Sequence, residues 1–252
     1  MIVAIIQARM GSTRLPGKVM KKVQGKTLLE HLILRVKRAY GIDKIIVATT
    51  ISKKDSPIAR LAVSLGVGVY RGSVDDVLDR YYQAAKEAHA KTVIRLTGDC
   101  PLMDPKVIDR VVSFYKKNRR RYNYVSNIRP PTFPDGMDVE VFSFNVLERM
   151  WREAALPSER EHVTAYIGNH PDSFRVGNVL AEKDLSKLRL TVDTKDDLSL
   201  VRAVVKGLSG KKNYPDVQDI AAFLKQHPEL TGHNRHIGRN EGYAKSVRED
   251  PK

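Results

Sequence analysis

The sequence predicts an α/β protein with a mainly parallel central sheet. Short, nearly continuous apolar runs such as Met1 to Gln7 (MIVAIIQ) read as strands buried on both faces. Between these runs lie longer segments with apolar residues at helical spacing, so that strand and helix alternate up to Lys117.

The elements follow in order. After Met1 to Gln7 comes a polar loop, Ala8 to Lys18. A helix is expected over Thr27 to Tyr40, with Leu28, Leu32, Val36 and Ala39 on one stripe and Gly41 ending it. Lys44 to Thr50 reads as a strand, Asp55 to Leu65 as a helix stopped at Gly66, and Val67 to Tyr70 as a short strand. Val74 to Ala90 is helical. Thr92 to Leu96 is a strand that runs into Thr97, Gly98 and Asp99. Asp104 to Lys117 opens with an Asp cap and a first-turn proline, a strong helix start. Beyond it, Tyr122 to Asn127 and Val139 to Ser143 read as strands around a Pro-rich loop. Asn145 to Ala155 and Glu159 to Asn169 read as helices, and Phe174 to Leu180 and Leu188 to Val192 as strands. Thr194 to Lys206 and Val217 to Gln226 complete the helices. Residues 1–230 are read as one domain, and residues 231–252 as a polar tail that packs on something or is mobile.

The chain has 252 residues, with 44 Lys and Arg against 29 Asp and Glu, a formal charge of +15. Such an excess predicts an anionic partner: nucleic acid, an anionic membrane surface or phosphorylated small molecules. No apolar run approaches the roughly 18 to 20 residues that span a bilayer. Ile2 to Ile6 is too short for a signal-peptide core and has no basic lead-in. The single cysteine, Cys100, excludes an internal disulfide framework and a multi-cysteine zinc site. The expected setting is soluble and cytoplasmic, with no membrane partner. The basic run Lys116 to Arg121 ends a helix, where cations are favourable. No helix-turn-helix, zinc or RNA-recognition motif accompanies it, so nucleic acid is not the expected partner.

The loop Arg9 to Lys18 (RMGSTRLPGK) follows the first strand, at the end of the sheet where open α/β folds bind ligands. Its glycines permit close backbone approach to a phosphate, and its arginines and lysine can neutralise the oxygens. It is not a Walker loop: Pro16 stands where glycine is required and Val19 where a hydroxyl is required. The dinucleotide spacing Gly-x-Gly-x-x-Gly is absent as well.

Two further segments each deliver a carboxylate from a strand end. Thr97-Gly98-Asp99 places Asp99 on the same rim as the loop. Asp193, in Thr191-Val192-Asp193-Thr194, either caps the next helix or joins Asp99. Magnesium takes hard oxygen ligands and is often satisfied by one or two carboxylates, with phosphate oxygens and water completing the shell. Asp138 and Glu140 alternate with Val139 and Val141 and so share one strand face. Asp135-Gly136 before them reads as a turn. Glu159 to Thr164, which holds Arg160, Glu161 and His162, reads as an amphipathic helix start with an acidic first turn.

Taken together, these motifs resemble the sugar-activating cytidylyltransferases, which include the CMP-ketodeoxyoctonate and CMP-sialate synthetases. They are most like the spore-coat-polysaccharide branch, whose N-terminus reads much like IIQARMGSTRLPGKVM. The resemblance implies a three-layer αβα Rossmann-like fold of the GT-A-like nucleotide-diphospho-sugar transferase kind, with a mixed, mainly parallel sheet. It implies transfer of CMP from CTP, with Mg2+, to an acidic sugar or a phosphorylated or phosphonate acceptor, and a homodimer. By the same resemblance Ala8, Arg9, Gly11, Ser12, Arg14, Lys18, Thr97 and Gly98 bind the nucleotide, and Arg71, Gly72 and Ser73 line its base pocket. Lys18, Arg14 and Asp99 act in catalysis, and Asp99 and Asp193 bind the metal. Asp138, Glu140, Arg160, Glu161 and His162 face the acceptor. Thr97 stands where the ketodeoxyoctonate synthetases carry Gln, so cytosine reading is not visible in this motif. The alternative is a GT-A-like glycosyltransferase using a nucleotide sugar, which normally shows Asp-x-Asp; Asp99-Cys100-Pro101 lacks the second Asp. A homodimer partner is one candidate surface for the tail.

Overall fold

A computed structural model describes residues 1–210 and 213–251. In chain order it contains β1 (Ile2–Gln7), β2 (Lys22–Val23), β3 (Lys26–Thr27), α1 (Leu28–Val36), β4 (Lys44–Thr50), α2 (Ser56–Ser64), β5 (Gly68–Gly72), α3 (Val77–Glu87), β6 (Thr92–Thr97) and α4 (Pro105–Asn118). The second half contains β7 (Tyr124–Ser126), β8 (Glu140–Ser143), α5 (Phe144–Glu153), α6 (Pro157–His162), α7 (Ala165–Asn169), β9 (Val176–Asn178), α8 (Lys195–Leu208), α9 (Val217–Gln226), α10 (Pro228–Gly232) and α11 (Glu241–Arg248).

One seven-stranded sheet has the order β5-β4-β1-β6-β8-β7-β9, and β2 and β3 form a separate hairpin. Strands β5, β4, β1 and β6 are mutually parallel. Strand β8 runs antiparallel to both β6 and β7, and β9 runs parallel to β7. The sheet is thus mixed and mainly parallel, as expected.

Side-chain alternation in β1 explains the layers. Ala4 and Ile6 join one buried cluster with residues of α1, α2, α4, α8 and α9, while Val3 and Ile5 join a second cluster with α3 and α5. A strand with apolar residues on both faces must be covered on both, and helices on each side of the sheet do so. Asp76 caps α3, Asp104 caps α4, and Thr27 with Glu30 forms a capping box on α1, so these helices start at residues whose side chains accept an orphan N–H.

Several expectations are corrected. The Thr27 to Tyr40 segment is helical only to Val36. Glu159 to Asn169 is two short helices, α6 and α7, broken at Val163, which is fully buried at φ 57°. Burying that side chain in the second cluster outweighs helical continuity there. Phe174 to Leu180 contributes only the three residues of β9. Leu188 to Val192 is no ladder strand. It makes one isolated bridge, Arg189 with Asp135, and then bonds to the β6 rim, where Val192 N donates to Asp99 O at 2.9 Å. The tail ends α10, which already begins at Pro228, then forms α11 and returns over its own chain, where Asp250 accepts from Ser158 N at 2.9 Å and Ser158 Oγ at 2.6 Å.

Candidate active site

The rim begins where β1 and β6 end side by side. Gly98 N donates to Gln7 O at 2.8 Å. A Cβ on Gly98 would stand 2.7 Å from that oxygen and 3.0 Å from the Ala8 Cβ, so only glycine lets the two ends close. The next residue, Asp99, therefore sits against the basic loop.

The loop is held from within. Ser12 N and Gly17 N both donate to Met10 O at 3.0 Å, and Met10 N donates to Asp55 Oδ1 at 2.7 Å. Gly17 turns the chain at φ 65° and Leu15 anchors it in the core. Lys18 then points inward, its Nζ 2.6 Å from Asp99 Oδ2 and 2.7 Å from Asp193 Oδ1. Arg14 reaches Asp193 Oδ1 at 3.0 Å and Glu241 Oε2 at 3.1 Å. Arg9 reaches Glu161 Oε1 at 3.2 Å.

These groups surround a cleft of about 830 Å3. Of the residues expected from sequence, Ala8, Arg9, Gly11, Ser12, Arg14, Lys18, Thr97, Gly98, Asp99, Asp193, Glu161 and His162 line it. Arg71, Gly72, Ser73, Asp138, Glu140 and Arg160 are not on its wall. The Arg71 guanidinium donates instead to the carbonyls of Thr50, Ile51 and Ser52. Asp138 pairs with Arg239, Glu140 with Arg95, and Arg160 with Asp76, so each of those charges is committed to a protein partner.

The electrostatics follow from this geometry. Burial pushes the Asp99 carboxyl up, but the adjacent Lys18 ammonium outweighs it and holds the group at about 2. Burial works against charge on Lys18 too, yet Asp99 and Asp193 raise its pKa. Burial lowers the His162 pKa, with Glu161 opposing, so the imidazole is neutral at pH 7.

Two charged residues tied to the rim are absent from the sequence reading. Arg189 is a buried guanidinium whose nitrogens reach Asp135 at 2.6 Å, Asp193 at 2.8 Å and Asp197 at 2.9 Å, and it fixes the Asp193 carboxylate. Arg95 lines the cleft and stands opposite Glu140 in the β6–β8 register. Its signal was there: one charge inside an otherwise apolar strand, matched by a carboxylate on the neighbouring strand. The tail also contributes, with Glu241, Lys245, Ser246 and Arg248 on the cleft wall.

Asp99 and Asp193 suit a divalent cation, because both already converge on one positive charge. Among the described residues no cluster of three or more His, Cys, Asp or Glu is placed to hold a metal alone. A metal on this rim would therefore complete its shell with ligand oxygens and water, the usual habit of magnesium.

A mainly parallel sheet whose rim carries a basic loop and converging carboxylates is the arrangement of an α/β nucleotidyltransferase of Rossmann-like type. The chain belongs to the cytidylyltransferase family, whose model matches residues 3–217. It is 34% identical over 235 residues to the Bacillus subtilis spore coat polysaccharide biosynthesis protein SpsF, covering 90% of this chain and 95% of that one. A solved cytidylyltransferase from Leptospira borgpetersenii superposes with a TM-score of 0.88 at 34% identity, over 94% of this chain and 99% of that one. A CMP:2-keto-3-deoxy-manno-octonic acid synthetase solved with CTP shares the fold, with a TM-score of 0.62 at 19% identity over 82% of this chain and 98% of that one.

Proposed function

We propose that this protein transfers the cytidylyl group of CTP to an acidic sugar, or to a phosphorylated or phosphonate acceptor, and releases pyrophosphate. The product would feed surface polysaccharide or glycan synthesis, in line with the role named for the spore-coat relative. The observation that carries the reading is the convergence of Lys18, Asp99 and Asp193 beside a loop that holds Arg9 and Arg14.

In this reading the acceptor hydroxyl attacks the α-phosphorus in line, and the bond to the β-phosphate oxygen breaks. Arg9, Arg14 and Lys18 bind the phosphates and stabilise the charge that grows on pyrophosphate. His162, neutral on the cleft wall, takes the hydroxyl proton at a ring nitrogen. Asp99 and Asp193 would hold Mg2+, which when bound offsets phosphate charge and acidifies a coordinated hydroxyl. Arg189 keeps Asp193 aimed at the rim.

The test is to incubate the protein with Mg2+, each of CTP, UTP, ATP and GTP, and a panel of sugar acids, sugar phosphates and phosphonates, following pyrophosphate. Release should require CTP and an acceptor, and Asp99→Asn should reduce it by at least about a hundredfold. Equal release with any nucleotide, or full activity in Asp99→Asn, would overturn the reading.

A further inference from the structure

Helix α11 is bound to the rim by one set of its residues and presents another to the cleft. Ser246 Oγ donates to Glu161 Oε2 at 3.0 Å and lies 3.0 Å from His162 Nε2. The Tyr243 ring packs edge-on against His162 at 5.2 Å between centroids. Glu241, Lys245 and Arg248, at positions i, i+4 and i+7, line the cleft along one stripe. No residue of α11 is buried, so the helix adds little to the core.

The cations of the cleft are unequal. Arg9, Arg14, Lys18 and Arg95 each face a carboxylate on another element. Among the described residues Lys245 has only Glu249, at the end of the same helix, 3.7 Å away in an exposed pair. Arg248 donates through Nε to the Ala244 carbonyl at 3.1 Å and, among the described residues, has no carboxylate partner. Its terminal nitrogens are therefore available to a ligand anion.

Position separates that anion from the triphosphate. Glu241 sits on Arg14 of the basic loop. Arg248 lies seven residues further, about 10 Å along the helix, past Ser246 and its contacts to Glu161 and His162. We propose that α11 carries the anion subsite of the acceptor: Arg248, with Lys245 beside it, binds the carboxylate or phosphate of the molecule that receives the cytidylyl group. The tail is then a specificity element for acidic acceptors. This inference rests on the cytidylyl-transfer reading.

The test uses the full chain and inorganic phosphate as probe. With CTP and Mg2+ saturating the loop, added phosphate should raise the Tm of the wild type further. In Lys245→Gln/Arg248→Gln that second response should vanish, while the Kd for CTP stays within about twofold. With an acidic acceptor, the double variant should raise the acceptor KM about tenfold, the loss expected for a charge-assisted hydrogen bond, and Arg248→Lys should restore part of it. Two results would overturn the proposal: a phosphate response that is absent from the wild type or unchanged in the variant, or CTP affinity falling in parallel with acceptor affinity. Should CTP fail to stabilise the wild type, the cytidylyl reading falls separately. Comparing phosphate responses of Arg14→Ala with and without Arg248→Gln then decides the anion subsite alone.

Discussion

Lys18 ties the rim together, because one ammonium pairs with two carboxylates from distant parts of the chain. In the wild type the Asp99 carboxyl, held at about 2, titrates below the ordinary Asp range near 4. Its contribution to stability is therefore complete above about pH 4 and is lost as pH falls toward 2. In Lys18→Met burial still pushes the Asp99 carboxyl up, and only the weaker hydrogen bonds from Thr97 and the backbone oppose it. Its pKa then rises above the unfolded value and the sign reverses: the group costs stability as pH increases through 4. We expect Lys18→Met to lose about 2 kcal/mol at pH 7, and the gap to narrow by pH 3.5, as read from Tm at both values. A gap that widens toward acid would contradict the assignment. At this scale the positions of the loop and Asp99 were legible from sequence because strand ends place them, whereas Asp193 arrives on a segment that bonds to the Asp99 backbone without being a ladder strand. Arg189 was not, since its three carboxylate partners lie at positions 135, 193 and 197 and meet only in the fold. Asp138 and Glu140 misled in the opposite direction. They look free in a list of residues, but Glu140 is paired by Arg95 across the sheet and Asp138 by Arg239, which comes from the far end of the chain.

Among the elements, the closest tolerance is between the ends of β1 and β6. Gly98→Ala would press a methyl group on backbone rather than on a movable side chain. The variant is expected to lose about 2 kcal/mol, with nucleotide affinity falling too because Asp99 and the loop must part. Thermal unfolding with and without CTP and Mg2+ checks both effects, and an undiminished CTP shift would show that the rim tolerates the separation. The parallel strands were legible because β1, β4 and β6 are mostly apolar runs, with Arg95 the one charge inside β6. The region after Lys117 was less so. Leu188 to Val192 has a strand's composition, but it pairs with loop backbone rather than a ladder. The tail gave no periodic signal strong enough to mark α11, because a helix docked by Tyr243, Ser246 and the following Asp250 needs no apolar stripe.

For the whole molecule, the charge of +15 exceeds what the cleft uses. Arg9, Arg14 and Lys18 lie on the rim, whereas Lys116 to Arg121 end α4 and run past it. A field of this sign attracts anionic substrates over distances that salt screens. We expect kcat/KM for CTP to fall several-fold between about 50 and 300 mM salt, with kcat nearly unchanged. A fall in kcat instead would place the salt effect on chemistry rather than encounter. Composition thus points to an anion, and the order of the motifs, not the charge, carries the proposal of a nucleotide over a polymer.

The three charges at the centre of the rim also have a history in time. Lys18 is separated from Asp99 by 81 residues and from Asp193 by 175. During synthesis, the loop and the parallel strands emerge long before the second carboxylate. Closure of so long a span is slow, because the entropy of the intervening chain must be lost first. A nascent chain can therefore present its arginines early, yet it cannot assemble a complete rim until nearly the whole sheet is in place. Substrate turnover begins only at the end of folding, and nucleotide binding becomes a readout of a finished molecule.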